Sequence, residues 1–196
     1  MRIFGIDPGS ERTGYGCVET DGSRHRIVVC GAISTPASAS FPDKLLHIHS
    51  QLTALLHDCR PECVAIENLF HAVNVRSALK LGHARGVAML AAVEAGVPVM
   101  EYTPAEIKRA VVGYGRAEKH QVQQMVKLML GLPAVPSPHD AADALAVAIC
   151  HVHSQTISAP GRIASAMLAR SKATSWRTYR PASARVALRR GKPARS

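Results

Sequence analysis

The last 41 residues of this chain, 156–196, contain no aspartate and no glutamate, although they hold ten lysines and arginines. The whole chain has 24 Lys+Arg against 14 Asp+Glu, a net charge of +10. Residues 1–155 therefore carry 14 of each sign and are neutral, and the entire basic excess lies in the tail. Such an excess points to a polyanionic partner. Long apolar runs are also missing. No stretch reaches the roughly 20 residues needed to span a bilayer, and the apolar start "MRIFGID" is too short for a secretory signal and includes an acid. Cysteine is scarce, with five scattered residues. Cys59 and Cys63 stand four apart, but no second Cys/His pair follows at zinc-finger spacing. Reduced structural thiols in a cytoplasmic protein fit this pattern. No internal repeat is visible. The tail is built from Ala, Ser, Arg, Pro and Gly with few apolar anchors, so residues 1–155 are expected to form the folded domain and 156–196 a disordered basic extension.

Within 1–155 the pattern alternates. Strand-like runs at 2–6, 13–18 and 26–32 are separated by short turns (Pro8-Gly9, Asp21-Gly22) and should pair as an antiparallel meander. A loop is expected over 33–42. Leu45, Leu46, Ile48, Leu52, Leu55 and Leu56 then recur at helical spacing. Short strands are expected at 62–67 and 97–102, and helices at about 73–95, 104–112, 118–130 and 138–153. A meander followed by strand–helix alternation predicts an α/β protein with a mixed five-stranded sheet flanked by helices.

Acids stand at the ends of two of these strands. "IFGIDPGSERTGYG" closes its apolar run on Asp7, and "CVAIE" closes on Glu67. Asp140 and Asp143, in "SPHDAADALAVAI", are three apart and share one helix face. Ser137 is read as the N-cap and Pro138 as the first helical residue. That would put Asp140 in the first turn, where the helix dipole favours an ionised acid. Each acid has a plain explanation alone: a turn residue, a strand-edge charge, a dipole partner. Four together suit hard divalent cations, which prefer oxygen ligands. Two Mg²⁺ ions held this way can activate water and stabilise a leaving oxygen in phosphodiester cleavage.

"GIDPGSERTGYG", "IENLF", "SALKLGHARG", "VVGYGRAEKHQVQ" and "HDAADALAVAICH" occur in this order between residue 1 and about 153. Together they resemble the successive blocks of the RuvC family, the bacterial Holliday junction resolvases. The resemblance implies a ribonuclease-H-like fold, a homodimer and Mg²⁺-dependent paired nicking of four-way DNA junctions, in recombination and repair. It implies two Mg²⁺ per site, with Mn²⁺ an acceptable substitute, and the branch-migration proteins RuvA and RuvB as partners. Asp7, Glu67, Asp140 and Asp143 match the family's metal-binding acids. The tail lies outside the resemblance.

Phe70, one of three phenylalanines, follows Glu67 by three residues. It is either a core residue or a ring that stacks on an unpaired junction base, and the family carries an aromatic in this block. Lys108 and Lys119 are either solvated surface lysines or phosphate contacts, and both match basic positions of the family motif. Gly113 and Gly115 free the backbone between them. Arg76 and Arg116 are further candidates for the DNA backbone. His139 adjoins Asp140, but neighbouring helical residues point about 100° apart, so it is read as a surface or supporting residue. Cys59, Cys63, His151 and His153 are read as structural or solvent-facing. The "GIDPGS" hairpin alone would also fit phosphate-binding proteins of the actin and sugar-kinase type, which need two such domains and a longer chain. A non-catalytic nucleic-acid-binding module is the third possibility, and the intact acid set argues against it.

Overall fold

A computed structural model of the chain describes residues 1–68 and 74–157. Phe70 and the basic tail lie outside the described residues. Five strands form one sheet: β1 (Arg2–Asp7), β2 (Arg12–Thr20), β3 (His25–Ser34), β4 (Cys63–Glu67) and β5 (Val99–Tyr102). Their order is β3-β2-β1-β4-β5. The β1–β2 and β2–β3 pairs are antiparallel, and β1–β4 and β4–β5 are parallel. The meander and the mixed sheet are as the turn spacing predicts. β3 runs on to Ser34, two residues into the expected loop.

The helices are α1 (Phe41–Cys59), α2 (Val75–Glu94), α3 (Pro104–Val112), α4 (Lys119–Met129) and α5 (His139–Ile157). Strand side chains alternate between faces, so each sheet face builds its own core. Phe4, Ile6, Val64 and Ile66 point to the side covered by α1 and α2, against Ile48, Leu52, Ala84 and Ala88. Ile3, Val18, Cys63 and Ala65 point to the other side, against α3, α4 and α5. The result is three layers, helices–sheet–helices. β1 is central, with Ile3, Phe4 and Ile6 at 0% exposure, which is why its sequence is a continuous apolar run rather than an alternating one.

α5 is the buried helix of the second layer. Ala141 to Cys150 are all buried except Asp143, because the sheet lies on one side and α3 and α4 on the other. Glycine brings it that close. A Cβ at Gly5 would lie 2.0 Å from the Ala144 carbonyl oxygen, one at Gly14 2.1 Å from the Asp140 carbonyl oxygen, and one at Gly16 2.7 Å from Leu145. The helix backbone thus rests on the sheet. The start of α5 differs from the sequence expectation. The helix begins at His139, with Pro138 before it joined to Ser137 by a cis peptide. The Pro138 carbonyl accepts from the Ala141 N–H at 3.0 Å. Pro138 therefore stands at the mouth of the helix rather than at its first helical position, and Asp140 still falls in the first turn.

Candidate active site

The strand alternation that builds the second core also aims the acids. Ile3, Gly5 and Asp7 share the α5 face of β1, and Cys63, Ala65 and Glu67 share it on β4. The parallel register aligns Ile3 with Cys63 and Gly5 with Ala65, so the two strand ends present Asp7 and Glu67 side by side. β5 holds the second strand end in place: Glu67 is paired with Tyr102, and the Asn68 N–H donates to the Tyr102 carbonyl at 2.8 Å. Gly14, cross-strand partner of Asp7, admits the first turn of α5, which carries Asp140 and, one turn on, Asp143.

Asp7, Glu67 and Asp143 line one cleft of about 360 Å³ with Lys108 of α3 and Lys119 of α4. Pro104, Ile107, Val122, Ala146 and Val147 form its apolar walls. α3 is anchored by a capping box between Thr103 and Glu106 and ends at Gly113, whose φ of 100° is a left-handed conformation that suits glycine. Lys119 opens α4, and its ammonium lies 2.5 Å from the Asp143 carboxylate. Asp140 pairs instead with Arg12, at the start of β2, at 3.4 Å.

This crowding has an electrostatic signature. Burial pushes the Asp7 carboxyl up to about 8, and the charges of Glu67, Asp143 and Asp140 add to the rise while Lys119 opposes it. Burial also raises Glu67, with Asp143 adding and a hydrogen bond with Asp7 opposing. Lys119 is raised by its hydrogen bond to Asp143. Like charges held this close disfavour their own ionised forms, and a cation among them relieves that cost. The donor set is all carboxylate oxygen, the chemistry of Mg²⁺, Mn²⁺ or Ca²⁺ sites. Among the described residues no three Asp, Glu, His or Cys side chains converge at ligand spacing: Asp143 is turned to Lys119 and Asp140 to Arg12. The fit therefore rests on donor chemistry and mutual repulsion.

The fold brings six sequence candidates to one end of the sheet: the four acids, Lys108 and Lys119. Arg76 lies in the first turn of α2 and Arg116 in the loop before α4, both exposed and neither lining the cleft. His139 is exposed. His151 is buried, its Nδ1 2.7 Å from the Tyr102 hydroxyl, and His153 Nδ1 lies 2.9 Å from the Ala110 carbonyl oxygen, which are structural roles. All five cysteines are free. Two features escaped the sequence reading. Arg12 is 128 positions from Asp140, with no local pattern to link them. Gly5, Gly14 and Gly16 are glycines inside strand patterns, a signal of close backbone approach, but nothing local names what approaches.

The family model described as crossover junction endodeoxyribonuclease RuvC matches residues 3–151. The RuvC of Citrifermentans bemidjiense is 55% identical over 159 residues, covering 81% of this chain and 96% of the relative. That of Ruminiclostridium cellulolyticum is 52% identical over the same length and coverage. The Thermus thermophilus RuvC structure in complex with a Holliday junction substrate superposes with a TM-score of 0.77 at 37% identity, covering 81% of this chain and 96% of that one. The five-stranded mixed sheet is accordingly of the ribonuclease-H-like kind. The chain belongs to the RuvC family of crossover junction endodeoxyribonucleases.

Proposed function

We propose that this protein resolves four-way DNA junctions by paired, metal-dependent nicks, with Asp7, Glu67, Asp140 and Asp143 as the metal-binding acids. The observation that carries this reading is the placement of Asp7, Glu67 and Asp143 in one cleft with Lys108 and Lys119. Carboxylates alone would repel a phosphodiester. Carboxylates flanked by two ammonium groups can hold cations and still receive DNA. The acids would hold two Mg²⁺, or Mn²⁺ in their place. When bound, these ions acidify a water and stabilise the departing oxygen. The chain's own groups do the rest. Asp7 gives up the proton that its surroundings favour at neutral pH. Lys119 is drawn from Asp143 toward phosphate, Lys108 supports the same strand from α3, and the apolar walls limit water around the scissile bond.

Arg76 and Arg116 contribute outlying backbone contacts on this reading, and Phe70 stacks on an opened base. A second copy of the chain completes the enzyme, since symmetric nicks need two identical sites related by a twofold axis. The outer face of α2 suits that contact. Val75, Leu79, Leu90 and Val93 are 50–75% exposed. Gly82 and Gly86, with open space where a Cβ would stand, lie between them in the same shallow groove as Leu45. Residues 1–155 act as the nuclease domain and 156–196 as a cationic arm on DNA. RuvA and RuvB are the branch-migration partners, and the cytoplasm is the site of recombination and repair; no helix among the described residues is long and apolar enough to cross a membrane. The test is nicking of a synthetic four-way junction with and without Mg²⁺, with linear duplex as control. Equal cleavage of both substrates, or cleavage in the presence of chelator, would overturn the assignment.

A further inference from the structure

The turn after Asp7 is braced from several sides. The Thr13 hydroxyl donates to the Gly9 carbonyl at 2.8 Å and lies 3.3 Å from the Gly9 N–H. The Thr35 hydroxyl lies 3.2 Å from the carbonyls of Ser10 and Glu11. The Glu11 carboxylate is held at 2.6 Å by Lys44, whose side chain is only 10% exposed. Out of this fixed backbone projects Arg12. Its side chain is 54% exposed, and among the described residues its one polar contact is the 3.4 Å approach to Asp140. A guanidinium has five N–H donors in a planar fork suited to phosphate oxygens. Arg12 uses one of them, at long range, on a partner that the proposed metal site would claim. Its neighbour Glu11 is turned to Lys44 instead. As a strut, an exposed single-point pair of this length adds little. What the sequence and fold have built is a half-exposed arginine head, held by one long contact to Asp140, on a braced turn beside the acid site.

We propose that Arg12 is a further phosphate-positioning residue of the active site, which exchanges Asp140 for the backbone of the bound DNA strand. This rests on the nuclease reading above. Lys119 and Arg12 then guard Asp143 and Asp140 respectively, and junction binding recruits both cations to phosphate as the acids are freed.

The test compares the full-length protein with Arg12→Ala and Arg12→Lys in three measurements: melting temperature, junction binding in chelator by fluorescence anisotropy across a salt series, and cleavage kinetics with Mg²⁺. Arg12→Ala should melt within a degree or two of wild type. It should bind the junction about three- to tenfold more weakly and flatten the slope of log affinity against log salt by about 0.9, the value of one phosphate contact. KM should rise more than kcat falls. Arg12→Lys should recover the salt slope, since the charge returns. An unchanged salt slope and affinity in Arg12→Ala would overturn the proposal, as would a large loss of melting temperature with no change in slope. If wild type itself fails to cleave, the nuclease reading falls, while the binding series still decides whether Arg12 meets DNA.

Discussion

Replacing Asp7 by asparagine should abolish cleavage and, in the absence of metal, make the protein more stable. Asp7 titrates near its ordinary 3.8 in the unfolded chain and is pushed up to about 8 in the fold by burial and the neighbouring acids. Below pH 3.8 the carboxyl is protonated in both states, and its contribution to stability is fully present. As pH rises, the unfolded chain releases the proton and the folded chain keeps it, so stability falls until the pH passes about 8. The loss is about 1.4 kcal/mol per pH unit. At pH 7, with 3.2 units between 3.8 and 7, the upper bound is about 4 kcal/mol. Partial exposure of Asp7 and its coupling to Glu67 bring a working figure to about 2 kcal/mol. Asparagine keeps the shape and escapes this cost. For a chain of this size Asp7→Asn should then melt about 4–8 °C above wild type at pH 7 in chelator. The two should converge near pH 4. Millimolar Mg²⁺ should raise wild type far more than the variant, because a bound ligand stabilises by mass action and the variant has lost a ligand. The assay is thermal melting of both proteins from pH 4 to 8, with chelator and with Mg²⁺. A variant less stable than wild type at pH 7 without metal, or a difference that does not change with pH, would refute the reasoning.

Gly5→Ala would drive a methyl group into the Ala144 carbonyl; it should lower stability by about 3 kcal/mol or more and reduce cleavage, and a melting temperature near wild type would show that α5 can move aside. Changing Leu79 and Leu90 together to lysine should convert a dimer to a monomer in sedimentation at micromolar concentration, and a wild-type monomer would remove the α2 face as the contact. Ending the chain after Ile157, the last residue of α5, removes all ten tail cations; it should preserve melting and cleavage sites, weaken binding to duplex and junction alike, and reduce the salt slope by roughly 2 to 5. An unchanged slope would show that the tail does not engage DNA.

Much of this was legible in the order of residues. Apolar strands that end abruptly on an acid, and two acids three apart at a helix start, name their own positions, because strand alternation and helix periodicity are local. The parallel pairing of β1 with β4, which sets Asp7 beside Glu67, was not legible: β2, β3 and α1 lie between them, and nothing local says which strand β4 joins. The helix start was misjudged by one position, since a Ser-Pro pair reads as cap and first residue whether or not the helix waits until His139. The Arg12–Asp140 pair could not be read at all: it depends on how far α5 sinks toward β2, and the glycines that permit this carry no side chain to announce a partner. Lys108 and Lys119 were visible as motif positions, but only the packing of α3 and α4 against α5 turned them toward the acids.

The glycine contacts under α5 have a consequence for how the enzyme can change over time. In most domains a helix rides on a cushion of side chains, and each exchange of Leu for Ile or Val shifts it by some fraction of an ångström. Here main chain meets main chain at Gly5 and Gly14, so the height of Asp140 above Asp7 is fixed by the van der Waals thickness of two peptide backbones. Substitutions among Ile149, Val152 or their neighbours in α3 and α4 can loosen the far end of the helix without altering that height. The spacing of the proposed metal-binding acids is thereby separated from the part of the core that is free to drift.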